Sequence, residues 1–127
     1  MDFREIRTDG GNLVRGYGPG ELRINEERYA ESLVLFKETI WTGWLPARFA
    51  DLEAGHLAPL AETGVEVVLI GTGDRLTFPE PAITAPLINH GVGVEAMDTP
   101  AACRTYNILM SEDRMVAAAL FRPEEVE

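Results

Sequence analysis

The sequence is short of the residues that most often carry chemistry. It has one cysteine, Cys103, which excludes an internal disulfide framework and leaves no cysteine-rich metal motif. Its two histidines, His56 and His90, and scattered carboxylates give no metal-ligand spacing. Positive charge is scarce: 11 lysines and arginines stand against 21 aspartates and glutamates, a net charge of −10. Such a domain repels phosphate backbones and anionic lipid, which disfavours general nucleic-acid binding and unaided docking on membranes. No stretch approaches the roughly 20 apolar residues of a membrane-spanning helix. The opening Met1-Asp2-Phe3-Arg4-Glu5 has neither the basic-then-apolar order of a signal peptide nor the acid-poor character of a transit peptide. The expectation is a cytoplasmic protein without direct membrane insertion.

What is present is enough for a core. The 127 residues are 46% hydrophobic, which suits one α/β domain over 1–127 with an acidic tail at 122–127. The most strand-like run is Val65 to Ile70, leading into the turn Gly71-Thr72-Gly73-Asp74. It reads as the central strand of a sheet. Before it, Gly55 to Thr63 reads as a helix starting near Gly55, because Pro59 is tolerated only in a first turn, and Gly64 ends it. After it, a helix is expected over about Ile83 to His90, its start limited by Pro86 and its end marked by Gly91. Val92 to Met97 is the next strand. Strand, helix and strand at this spacing form a crossover with parallel strands.

Further along, Asp98-Thr99-Pro100 marks a helix start, with Thr99 as cap and Pro100 at the first helical position. That helix runs to about Met110 with Ala102, Tyr106, Leu109 and Met110 as its buried stripe. Arg114 to Phe121 is the last strand, and periodicity alone makes it parallel. Towards the N-terminus, Asn12–Tyr17 and Glu21–Ile24 flank Gly18-Pro19-Gly20 as a hairpin. Asn25 to Arg28 reads as a polar turn and Ser32 to Phe36 as a short buried strand. Trp41 and Trp44 fit a cover over the end of the core, or an aromatic contact patch.

Ligands of open α/β sheets collect beyond the carboxyl ends of parallel strands. The candidate binding residues are therefore Gly71, Thr72, Gly73 and Asp74 on one side and Asp98, Thr99, Cys103, Arg104 and Asn107 on the other. A helix start offers N–H donors and a positive dipole end, so an anion is the expected class. Gly71-Thr72-Gly73 is only a fragment of a dinucleotide fingerprint, and no P-loop pattern is present. The glycines are equally a tight turn, and Arg104 equally a partner for Asp98 or Asp74. Cys103 reads first as a small core residue, with redox sensing as the alternative. No catalytic residue, metal ligand or cofactor is indicated.

Four stretches taken together resemble a known family: Ile70-Gly71-Thr72-Gly73, Phe78-Pro79, Val94 to Leu109, and Arg114 to Leu120. The family is a small single-domain one of unknown function. Its eukaryotic members include a mitochondrial respiratory complex I assembly factor and an adipogenesis-associated protein. The resemblance implies a three-layer α/β fold with a central mixed sheet and an added β layer from the N-terminal strands. It marks 71–73 and 99–107 as a signature and brings no catalytic residue. With the absence of a catalytic constellation, it points to a non-catalytic binding or assembly protein with protein partners; a monomer or weak homodimer is the expected state. The alternative is a small-molecule anion-binding protein or enzyme using the Gly71–Asp74/Thr99 cleft.

Overall fold

The computed structural model describes residues 2–123. The distal part of the expected acidic tail, from 124 on, lies outside the described residues.

Among the described residues, nine strands and three α-helices build three layers. The strands are β1 (Arg4–Arg7), β2 (Val14–Gly18), β3 (Glu21–Ile24), β4 (Glu27–Tyr29), β5 (Leu33–Leu35), β6 (Thr39–Thr42), β7 (Val67–Gly71), β8 (Gly93–Met97) and β9 (Val116–Leu120). The helices are α1 (Ala54–Leu57), α2 (Pro81–Ile88) and α3 (Thr99–Ser111). The middle layer is a six-stranded mixed sheet in the order β1-β6-β5-β9-β7-β8. β7 is parallel to both β8 and β9, whereas β5 and β6 run antiparallel to their neighbours. The last strand is thus parallel to β7 and antiparallel to β5. It inserts between them, so the run read as the central strand lies one place from the edge and β9 lies further in.

Period-two alternation sends successive side chains of each strand to opposite faces. Leu69, Ala118, Leu120, Leu33 and Leu35 face α3 and the small β2-β3-β4 sheet, packing on Ala102, Cys103, Tyr106, Leu22 and Ile24. Val68, Ile70, Ala117, Ala119 and Val34 face the other way, onto Leu57, Leu60 and Leu87. β9 is buried along its whole length. Its run Ala117-Ala118-Ala119 keeps both covering layers close to the sheet.

Several local expectations shift. The helix read over 55–63 is one α turn, Ala54–Leu57, followed by a 3-10 turn, Ala58–Glu62, because Pro59 has no N–H for the α ladder. Gly64, at φ +86°, ends it as expected. α2 begins at Pro81, and Pro86 sits inside it. The carbonyl that Pro86 leaves unpaired belongs to Ala82, which is exposed, so water can satisfy it. The polar turn at 25–28 is shorter: Asn25 and Glu26 make the turn, and Glu27 and Arg28 are already in β4. Their charges suit an edge strand. Trp41 lies in β6, and its ring meets Phe3, Phe36 and Trp44 at 4.9–5.6 Å between centroids. Trp44 donates to the His56 carbonyl at 2.8 Å. Both rings pack, half-buried, against the α1–α2 side of the core.

Candidate functional site

The two halves of the candidate site do meet, where β7, β9 and the start of α3 converge. Gly71 is the last residue of β7. A Cβ built there would lie 3.0 Å from Thr99 Oγ1, 3.1 Å from Thr99 Cα and 3.0 Å from a Leu120 methyl. Only glycine lets the helix start come this close. Thr99 is fully buried. Its hydroxyl accepts the Gly73 N–H at 2.8 Å and donates to the Phe121 carbonyl at 2.5 Å. Its own N–H donates to the Gly73 carbonyl at 2.8 Å, and the Phe121 N–H donates to the Gly71 carbonyl at 2.9 Å. Gly73 adopts φ +103°, a conformation that L side chains rarely take.

Thr99 therefore does not cap α3. The cap is Asp98, whose Oδ1 accepts the Ala101 N–H at 2.8 Å. The Ala102 N–H bonds the Asp98 carbonyl at 2.9 Å, and Pro100 has no N–H. Every N–H of the first turn is thus engaged within the protein, and an anion would need donors from elsewhere. Thr72 is internally satisfied as well. Its N–H donates to the Met97 carbonyl at 2.9 Å, while its hydroxyl donates to the Arg75 carbonyl at 2.6 Å and accepts the Thr77 N–H at 3.1 Å.

The remaining candidates separate. Asn107 grips Val14 of β2, accepting its N–H at 3.0 Å and donating to its carbonyl at 2.9 Å, as a neighbouring strand would. Arg104 is exposed and reaches the Tyr17 hydroxyl at 3.4 Å, with no ion pair to Asp98 or Asp74. Asp74 is exposed at the tip of the β7 turn. Cys103 is 2% exposed, and burial pushes its thiol up to about 12, against a smaller lowering by Arg104. Both histidines are held locally: His56 Nδ1 accepts the Glu53 N–H at 2.9 Å, and His90 Nδ1 lies 2.8 Å from the Pro86 carbonyl. Among the described residues no group of three or more His, Cys, Asp or Glu is arranged to hold a metal ion.

Sequence reasoning missed the arginines. Arg48, Arg75 and Arg122, with the one carboxylate Asp74, line a cleft of about 410 Å³ with Thr72, Gly73 and Phe121, beyond the carboxyl ends of β7 and β9. Arg122 also donates to the Gly20 and Ala30 carbonyls at 3.3 and 3.0 Å. No local spacing links positions 48, 75 and 122. The available signal was the scarcity of basic residues itself, which makes any gathering of them notable.

Two outcomes follow from this geometry. Gly71→Ala should cost about 1–3 kcal/mol in urea unfolding, because the Thr99 backbone cannot yield to the added methyl. Gly93→Ala is the control, with nothing nearer than 3.6 Å, and equal stability of the two variants would contradict the close-packing account. For Cys103, a thiol at about 12 is ionised in only about one molecule in 10⁴ at pH 8. Native alkylation by iodoacetamide should run at least about a hundredfold slower than in 8 M urea; equal rates would mean an accessible thiolate.

Comparisons with known proteins agree with this architecture. The family described as "Protein of unknown function (DUF498/DUF598)" matches residues 14–121. The chain is 33% identical to NADH dehydrogenase (ubiquinone) 1 alpha subcomplex assembly factor 3 of Danio rerio, over 97% of this chain and 71% of that protein. It is 37% identical to the Bos taurus protein of the same name, over 87% of this chain and 60% of that one. A crystal structure of a Bordetella parapertussis protein superposes with a TM-score of 0.82 at 42% identity, covering 88% of this chain and 96% of the other. The solution structure of a Bordetella pertussis protein, described as a Mth938-like domain, gives 0.78 at 35% identity, covering 94% and 93%. The chain belongs to the DUF498/DUF598 family of proteins of unknown function.

Proposed function

We propose that this protein is a non-catalytic binding or assembly protein that acts on protein partners in the biogenesis of a membrane-bound complex. The observation that carries the reading is the similarity, along 97% of the chain, to a protein named as a complex I assembly factor. The local chemistry supports it. Thr99 and Asn107 use their polar groups to hold elements together, while the Thr72 hydroxyl and Asp98 carboxylate bond within their own turns. Cys103 is buried as a thiol. No helix among the described residues is long and apolar enough to cross a membrane. A cytoplasmic location and a monomeric or weakly dimeric state belong to the same proposal. Tagged chain, expressed at native level in its source and mildly crosslinked, should enrich subunits of a membrane complex over an unrelated acidic domain. Enrichment no greater than that control would end the reading.

A second reading is favoured by the arginine cleft. Three of the 11 basic residues, Arg48, Arg75 and Arg122, line one cavity where α/β sheets collect ligands. There a small anion would take charge-assisted hydrogen bonds from the guanidinium groups. A thermal-shift panel of phosphates, nucleotides and carboxylates should stabilise the wild type. The shift should vanish in Arg75→Ala and persist in Arg104→Ala, which lies outside the cleft lining. A flat panel would dismiss the cleft as a ligand site.

A further inference from the structure

We infer that the outer edge of β8 and the apolar ledge beside it form a strand-addition site for an extended segment of a protein partner in which apolar and basic residues alternate. The inference rests on the protein-partner reading above and adds the surface and the chemistry of what it takes.

β8 ends the six-stranded sheet. The Gly93 N–H donates to the Glu66 carbonyl and the Met97 carbonyl accepts the Thr72 N–H, both at 2.9 Å, so Gly93, Glu95 and Met97 turn their backbone groups towards β7. Alternation turns the N–H and carbonyl groups of Val94 and Ala96 outwards. An incoming strand finds four ladder positions there. Edge strands are normally guarded by charge. The opposite edge, β1, is guarded in this way by Arg4, Glu5 and Arg7. β8 has Gly93, Val94, Ala96 and Met97 around a single charge, Glu95.

The ledge lies on the α2 side of this edge. Phe78 is 77% exposed and Ile88 56% exposed. With Pro79, Thr84 and β8 from Val94 to Met97 they line a groove of about 400 Å³ alongside the strand. An added strand would lay every second side chain into this groove, which calls for apolar residues there. Its intervening side chains would fall on the face that carries Glu95. Glu95 is exposed and takes part in neither ion pair found among the described residues, so a lysine or arginine is the complementary neighbour. A second copy of this chain fits poorly. It would bring two net charges of −10 together, and antiparallel β8–β8 pairing centred on the strand would set Glu95 against Glu95.

The test uses the full ¹⁵N-labelled chain and two synthetic nine-residue peptides, valine alternating with lysine and valine alternating with glutamate. The lysine peptide should slow amide exchange at Val94 and Ala96 and shift the resonances of Phe78 and Ile88; the glutamate peptide should not. In Glu95→Lys the preference should invert, with the lysine peptide weakened roughly threefold or more. Ala96→Pro, which removes an outward donor and no ladder bond, should abolish protection while β7–β8 pairing persists. Lysine-peptide binding unchanged by Glu95→Lys, shifts confined to other surfaces, or no binding would overturn the inference. So would concentration-dependent protection of Val94 and Ala96 without peptide, which would assign the edge to a second copy. Crosslinked partners recovered equally by wild type and Ala96→Pro would leave the partner reading standing and remove β8 from it. Partners recovered by neither would remove both.

Discussion

The structure depends on one hydroxyl packed against one missing side chain. Thr99 Oγ1 bonds the exit of β7 through Gly73 and the exit of β9 through Phe121, and it fits there only because Gly71 has no Cβ. Buried hydroxyls are costly unless bonded. Here the donor and acceptor roles of one oxygen are both used, so the buried hydroxyl is satisfied. The α3 start is thereby pinned to two parallel strands at once. The capping task that Thr99 would otherwise perform falls to Asp98 next to it.

The same logic recurs deeper along α3. Tyr106 is fully buried, and its hydroxyl lies 3.1 and 3.2 Å from the Asn12 and Phe36 carbonyls. Burial pushes its pKa upwards, so it is a neutral hydrogen-bond donor across the physiological range. Asn12 is itself fully buried and bonded to Thr8, Asn25 and the Phe36 carbonyl. One turn on from Cys103, Asn107 holds β2. A single helix thus uses Thr99, Tyr106 and Asn107 to fasten the middle sheet, the crossing loops and the small sheet. The stretches 71–73 and 99–107 are legible as architecture before any ligand is invoked.

Much of this was written locally. The Gly-Pro-Gly hairpin, the stops at Gly64 and Gly91, the apolar run of β7 and the Asp98–Pro100 helix start each follow from the chemistry of adjacent residues. Three features were not legible, for a common reason. Asp98 and Thr99 can each cap a helix; the choice between them is made by the Phe121 carbonyl, 22 residues away. Pro86 can sit inside α2 because the carbonyl it orphans belongs to an exposed residue, which no periodicity reports. Arg48, Arg75 and Arg122 gather only once β7 and β9 lie side by side. The first and third depend on contacts between distant parts of the chain and the second on which side of α2 is left open to water, and a short window contains neither.

The position of β9 governs the order in which this molecule can be completed. β1, β6 and β5 form one half-sheet, β7 and β8 another, and among the described residues the strand joining them, β9, follows all the others in the chain. Arg122 and Pro123 then bind the small sheet through Gly20 and Ala30. During vectorial synthesis, at about 5–20 residues per second, both half-sheets wait with an open edge for a strand still to come. At that pace the β5 edge waits roughly 4–17 s and the β7 edge roughly 2–10 s for β9, and closure of the sheet follows the synthesis of that strand.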